Sequence, residues 1–313
     1  MPRWTPEDAP RIDGRVAVVT GASSGLGERT AEALAARGAH VVLATRDAAR
    51  TAAAMERIRS RVPGASLSHV PLDLADLTSV RAAAERIATD HPRLDLLVAN
   101  AGVMAIPRAS SAQGFELQLA VNHLGHQALT ALLLPAVTAA AGRIVVVSSG
   151  VHRMGRIDPD DLDGSRGPYR AWAAYARSKL ANLLFVAELQ RRLTAAGSPV
   201  LALAAHPGFA STGLQEVGPR LRGGLSARLV APVTGAATRL VAQSAAQGAL
   251  PQLYAALAPD VEPGAYYGPD GPGEMRGWPT RVTSSRTARD PDLARAVWEA
   301  TERATGITAG LPA

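Results

Sequence analysis

The chain has 313 residues, 47% of them apolar and only 4% aromatic, enough to bury one α/β core and thin for two. It has no cysteine, which excludes disulfides, thiolate metal sites and a thiol nucleophile. The formal charge of +6 comes from arginines scattered among Asp and Glu, with no basic run to track phosphates, so nucleic acid is not expected as a partner.

Residues 1–13 read as a short N-terminal arm without the apolar stretch of a secretory signal. No apolar run approaches the roughly 20 residues of a membrane span. A cytoplasmic protein with no membrane partner is the expectation. RVAVVTG, Arg15 to Gly21, is a short apolar run read as a buried strand. A helix is expected from about Gly25 to Arg37, ended by Gly38. HVVLATR is a second strand, followed by an Ala/Arg-rich helix to about Arg61 that Pro63 and Gly64 break. LSHVPLDL is the third strand, Leu77 to Thr89 a helix, and LDLLVANAG the fourth strand. A long helix follows from about Gly114 to Ala140, bent near Pro135. GRIVVVSSG is the fifth strand, Arg170 to Ala195 another long helix, and PVLALAAHPG the sixth strand. Beyond Gly208 the pattern loosens. A helix is expected from about Thr234 to Gln247, a short seventh strand in PGAYYGPDG, and a last helix from Asp290 to Thr305 with Asp290 as cap. Continuous apolar strands alternating with helices imply a parallel sheet covered on both faces, with no internal repeat and no linker to a second domain.

Four motifs carry chemistry. TGASSGLG, Thr20 to Gly27, lies between the first strand and first helix. Its glycines at 21, 25 and 27 allow a tight turn that brings a pyrophosphate against a helix N-terminus. At the end of the second strand, where a carboxylate would hold a ribose 2′-hydroxyl, stand Thr45 and Arg46. Arg46 suits a 2′-phosphate, with simple surface charge as its other reading, and Asp47 suits a helix cap. Tyr175 and Lys179 are spaced i, i+4, so phenol and ammonium share one helix face. A neighbouring cation favours the phenolate and moves an ordinary tyrosine towards useful range. Lys179 is the only lysine among 33 basic Lys and Arg residues, a sign that a compact ammonium is needed there rather than a planar fork. Ser148 and Ser149 close the fifth strand, at the carboxyl edge where ligands of open parallel sheets sit.

TGASSGLG, Asp73-Leu74, Asn100-Ala101-Gly102, Asn122, Ser149, Tyr175 with Lys179, and His206-Pro207-Gly208 with Thr212 occur in order on successive elements. Together they resemble the signature of the short-chain dehydrogenase/reductase family. The resemblance implies a single Rossmann-like domain, doubly wound around a mostly parallel seven-stranded sheet. It implies hydride transfer between a nicotinamide dinucleotide and a carbonyl or secondary alcohol; Arg46 makes NADP(H) the preferred cofactor, with NAD(H) as the alternative. Tyr175 would exchange the proton, Ser149 would hold the same oxygen, and Lys179 would bind the nicotinamide ribose and lower the phenol pKa. Asn122 would hold a water of a proton relay. Gly21, Ser23, Ser24, Gly25, Leu26, Gly27, Arg46, Asp73, Leu74, Asn100, Ala101, Gly102, Pro207, Gly208 and Thr212 would line the cofactor. A homodimer or homotetramer through the helices after strands four and five is compatible with their Ala/Leu-rich faces.

Ser149 and Tyr175 are separated more widely than is usual in the family. The intervening VHRMGRIDPDDLDGSRGPYRAWAA, with Asn122-His-Leu-Gly-His, is similar to the branch of retinol dehydrogenases and the WW-domain oxidoreductase. Residues 209–232 read as a substrate lid and 262–313 as a C-terminal extension. The Leu- and Gly-rich lid suits a partly apolar small molecule, and His152, Phe209 and Leu214 are its candidate contacts. His123 and His126 have the spacing of metal ligands, but no third ligand is in view, so no metal is expected. The acidic run Asp158 to Asp163 lacks EF-hand spacing. A cofactor-binding scaffold without catalysis is the rival reading. An epimerase or dehydratase is a weaker one, because such enzymes pair a TGxxGxxG turn with a larger C-terminal domain.

Overall fold

The computed structural model describes residues 3–209 and 243–312. The expected lid beyond Phe209, with Thr212 and Leu214, and the start of the helix placed near Thr234 lie outside the described residues. The strands are β1 Val16–Thr20, β2 His40–Thr45, β3 Leu67–Pro71, β4 Leu96–Ala99, β5 Arg143–Val147, β6 Leu201–Ala205, β7 Tyr266–Pro269 and β8 Pro279–Arg281. They form one sheet in the order β3-β2-β1-β4-β5-β6-β7-β8. All neighbours are parallel except β7 and β8. The sheet therefore has eight strands where seven were expected. Its extra strand is a three-residue edge, and Pro279 is tolerated there because an edge residue need not donate to a further neighbour.

The principal helices are α1 Gly25–Ala36, α2 Ala48–Arg61, α3 Leu77–Asp90, α4 Gly125–Ala139, α5 Ala171–Ala195, α6 Ala245–Leu257 and α7 Pro291–Thr305. Consecutive strand residues point to opposite faces, and both faces are covered. Val18 packs with α3, α4, α5 and α7, while Ala17 and Val19 pack with α1, α2 and α6. That double burial is why the strands are continuously apolar. α2 begins at Asp47, whose carboxylate accepts from Arg50 N at 3.0 Å, so Asp47 is the cap. α7 begins at Asp290, which accepts from Asp292 N and Leu293 N, and ends at left-handed Gly306.

The long helix expected from Gly114 to Ala140 is not one helix. A single turn at Leu117–Leu119 leads into a π-helical segment, Ala120–Leu124, before α4. Pro135 lies inside α4, so the irregularity sits at Asn122 rather than at the proline. Widened turns of this kind recur at functional sites. α7 lies along α5. Its Trp298 stacks on Phe185 at 5.6 Å between ring centres, and the Arg192 guanidinium lies over the Trp298 ring at 4.9 Å. Among the described residues, no helix is long and apolar enough to cross a membrane.

Candidate active site

The chain reverses direction across the sheet between β1 and β4, which opens a crevice at the carboxyl ends of the strands. The glycine turn leaves β1 there. Gly21 has φ +68°, and a Cβ on it would lie 2.9 Å from Ala101 Cα. A Cβ on Gly27 would lie 2.5 Å from Gly21 O and 2.6 Å from Asn100 Nδ2. Only glycine fits either position. Ser24 starts α1 without a side-chain capping bond, so the first-turn amides are left for an anion. Asn100 binds the turn to β4, its Nδ2 donating to Thr20 O at 2.9 Å. Asp73 accepts from Ala75 N at 2.9 Å and lies 3.9 Å from the Arg46 guanidinium. Leu74 packs on α4 where Gly125 leaves room, since a Cβ there would meet Leu74 O at 2.5 Å.

Arg46 is free to turn, its side chain 78% exposed. Sequence reasoning stopped at Arg46 and missed Arg50. Arg50 reaches back from α2 to Ser24 Oγ at 3.5 Å, so two guanidiniums border the adenosine side of the turn. The signal was present: Arg50 follows Arg46 by one helical turn. Arg57, on the same helix, forks onto Glu28 of α1 at 3.0 and 2.7 Å and locks the two helices together. The cradle and the open helix end fit a nicotinamide dinucleotide.

At the other end of the crevice, α5 places Tyr175 and Lys179 on one buried face, 8% and 4% exposed. Lys179 Nζ donates to Val147 O at 2.9 Å and lies 5.8 Å from the Tyr175 ring centre. Burial pushes the phenol up to about 12, and the nearby Ser149 hydroxyl draws it partly back. Burial also lowers Lys179 to about 8. The sequence had suggested that the ammonium would pull the phenol down. In the protein desolvation dominates, and the phenol is held protonated. The two serines divide their roles. Ser148 Oγ donates to Lys179 O at 2.8 Å, while Ser149, which caps the turn Gly150–Met154, is the one beside the phenol.

Asn122 is fully buried. Its Oδ1 accepts from Val103 N at 2.8 Å, and its Nδ2 donates to Val103 O and Ser178 Oγ, each at 2.9 Å. A Cβ on Gly102 would lie 3.1 Å from Asn122 Oδ1 and 3.7 Å from Lys179 Nζ. Gly102 thus keeps the space between those two groups open.

Of the expected substrate contacts, His152 is 1% exposed. Its Nδ1 bonds Ser149 O at 2.8 Å and its Nε2 accepts from Ser285 N at 3.1 Å. Both nitrogens are spent on backbone, which makes it a brace behind Ser149. Phe209 N donates to Met275 O at 2.6 Å. Gly208, at φ +64°, is pressed on the same carbonyl, 2.5 Å from where its Cβ would be. Pro207 O accepts from Gln243 Nε2. The turn after β6 is therefore anchored to the loop after β7. His123 and His126 do not converge on a common point: His123 bonds Asn182 and Thr301, and His126 bonds Thr20 and Asn122.

A parallel sheet with a glycine cradle at its switch point and a buried tyrosine–lysine pair defines a nicotinamide-dependent oxidoreductase. The chain belongs to the short chain dehydrogenase family, whose sequence profile matches residues 15–219. It is an NAD(P)-dependent dehydrogenase or reductase. It is 41% identical to mouse (Mus musculus) polyprenol dehydrogenase over 98% of this chain and 88% of that one. To human (Homo sapiens) retinol dehydrogenase 13 it is 39% identical over 95% and 86%. Among solved structures, an uncharacterized protein from Mycobacterium paratuberculosis superposes with a TM-score of 0.81 at 41% identity, covering 99% of this chain and 100% of that one. A 3-oxoacyl (acyl-carrier-protein) reductase from Agrobacterium tumefaciens with NADP bound gives 0.64 at 26% identity, covering 82% and 93%. A short chain dehydrogenase/reductase from Burkholderia phymatum in complex with NAD gives 0.60 at 26%, covering 78% and 85%.

Proposed function

We propose that this enzyme is an NADP(H)-preferring carbonyl reductase or alcohol dehydrogenase for a partly apolar small molecule, with Tyr175 as its acid and base. The observation that carries this reading is the buried face of α5, where Tyr175, Lys179 and the adjoining Ser149 meet beside the open space at Gly102. When bound, the nicotinamide supplies or accepts the hydride. The chain's residues do the rest. Tyr175, protonated across the neutral range, donates its hydroxyl proton to the oxygen of a carbonyl and recovers it from an alcohol in the reverse direction. Ser149 holds that oxygen by a second hydrogen bond. The Lys179 ammonium spends one hydrogen on Val147 O and keeps the others for a ribose and for the phenolate that proton donation leaves behind. Asn122 fixes the backbone of Val103 and so shapes the pocket; its backbone and the gap at Gly102 offer a place for a relay water.

NADP(H) is favoured because Arg46 and Arg50 border the site where a 2′-phosphate would lie, and the end of β2 carries no carboxylate beyond the capping Asp47. The partly apolar substrate is supported by the mouth of the site. Among the described residues, the exposed large apolar side chains are Met154, Trp172 and Met275. Trp172 stands edge-on to Tyr175 at 6.1 Å, and Met154 ends the turn that Ser149 caps. Relatives named for polyprenol and retinol, both long apolar alcohols, agree with it. A cytoplasmic location without nucleic-acid or membrane partners completes the proposal.

The test is titration of the protein with NADPH and NADH, then turnover against a panel of apolar and polar aldehydes and ketones. NADPH should bind more tightly. Arg46→Ala and Arg50→Ala should each weaken NADPH by about tenfold, the loss of a charge-assisted phosphate contact, and leave NADH unchanged. Equal binding of both dinucleotides by the wild type removes the two arginines from the account. Binding without turnover on any carbonyl or alcohol promotes the scaffold reading.

A further inference from the structure

We infer that His126 is a positioning residue: it closes a hydrogen-bonded ring that holds the loop from Asn100 to Val103 against Lys179. The inference rests on the proposed site, because that loop lines the space between Asn122 and Lys179.

The ring can be followed atom by atom. Thr20 Oγ1 accepts from Asn100 N and Ala101 N, each at 2.9 Å, which fixes the first half of the loop. The Asn122 side chain takes both backbone groups of Val103, which fixes the second half. His126 joins the two clamps, with Nε2 2.9 Å from Thr20 Oγ1 and Nδ1 3.1 Å from Asn122 O. The protons follow from the partners. A carbonyl only accepts, so Nδ1 carries the ring hydrogen and Nε2 is a bare acceptor. Thr20 must then donate to Nε2, its other carbonyl neighbour, Val98 O, being farther at 3.4 Å. With two amides on its lone pairs and its proton on His126, the Thr20 hydroxyl is saturated.

His126 is 1% exposed. Burial, with Lys179 and His123 nearby, lowers it to about 3, so it stays neutral across the working range and cannot serve as a proton carrier. Its imidazole bridges two groups with opposite demands, a hydroxyl that must donate and a carbonyl that must accept. A leucine of similar bulk satisfies neither. Gly102 sits at the centre of the closed ring, with no side chain to hold it by packing, so the ring is what fixes its distance from Lys179.

The test uses His126→Leu, with Thr20→Val and Thr20→Ser as companions. Amide hydrogen exchange on the protein alone should show Ala101 and Val103 exchanging about tenfold or more faster in His126→Leu, with Leu97 and Val98 of β4 unchanged. In turnover with NADPH, kcat should fall about tenfold or more while KM for NADPH moves less than about threefold. Thr20→Val should reproduce the loss, Thr20→Ser should restore it, and Thr20→Val with His126→Leu should cost about as much as Thr20→Val alone. Should His126→Leu not fold, His126→Asn, which keeps a donor towards Asn122 O but is too short to accept from Thr20 Oγ1, takes its place with the same expected exchange. Unchanged loop exchange, exchange raised equally in loop and strand, or fully multiplicative effects overturn the ring. Absence of turnover in the wild type overturns the proposed function instead, and the exchange measurement still decides on the ring.

Discussion

The pKa values of Tyr175 and Lys179 move in opposite directions, and one cause acts on both. Burial penalises whichever form is charged, so the phenol rises to about 12 and the ammonium falls to about 8. The phenol therefore stays protonated across the neutral range. Lys179 costs the fold stability wherever it is charged. Its pKa in the fold lies below its ordinary 10.5, so the penalty is full below about pH 8 and is relieved as pH rises from 8 towards 10.5. Lys179→Met should raise the unfolding free energy near pH 7 by roughly 1–3 kcal/mol while abolishing turnover. Val147 O would not be orphaned, because Asn182 Nδ2 also donates to it at 3.1 Å. Urea unfolding from pH 7 to 10 should show the gap between wild type and variant closing above pH 8. A less stable variant at pH 7 would mean that the Lys179 bond outweighs its desolvation. That Tyr175 and Lys179 share a face was legible in the i, i+4 spacing. Which way the phenol shifts was not, because desolvation depends on what α5 is packed against.

The regular elements were visible at the level of single helices and strands. Runs such as VAVVT and IVVV must feed two opposed cores, and that leaves a continuous apolar signature. Two elements escaped, and α6 runs on to Leu257, well past the end expected at Gln247. The π-helical segment at Ala120–Leu124 carries no periodic mark, so a bend was assigned to Pro135, the one residue with an obvious reason to cause it. β8 is three residues long and exists only through pairing with β7. His123 and His126 were considered as metal ligands and set aside; their hydrogen bonds reach partners as distant as Thr301 and Thr20, which spacing cannot show. α7 was expected, and its amphipathic face explains its docking. Trp298 is fully buried between Phe185 and Arg192, so Trp298→Ala should destabilise the protein by about 3–5 kcal/mol in denaturant unfolding. A loss below about 1 kcal/mol would show that α7 is not anchored by this residue.

At the scale of the whole molecule, the fold brings the residues of the sequence signature together: the glycine turn, Asn100, Asn122, Ser149, Tyr175 and Lys179 stand along one edge of one sheet, where the proposal puts the ligands. Many arginines pair with nearby carboxylates, either between helices, as in Arg57–Glu28, or within one helix, as in Arg191–Glu188, so the positive charge is dispersed rather than gathered in a groove. α7 lies on α5, the helix expected to meet a second copy, so an assembly using that face would first have to displace Trp298 from Phe185. The approach of Arg50 to Ser24 became visible only when the chain was folded, because the two residues come from segments well apart in sequence. The central claim is that Tyr175 moves the proton. Its most direct test is the initial rate of NADPH oxidation with an apolar aldehyde, wild type against Tyr175→Phe, with NADPH binding measured on both. The account predicts unchanged NADPH affinity and a rate lowered by about a thousandfold or more, the loss of a positioned acid; a Tyr175→Phe enzyme within about tenfold of wild type would contradict it.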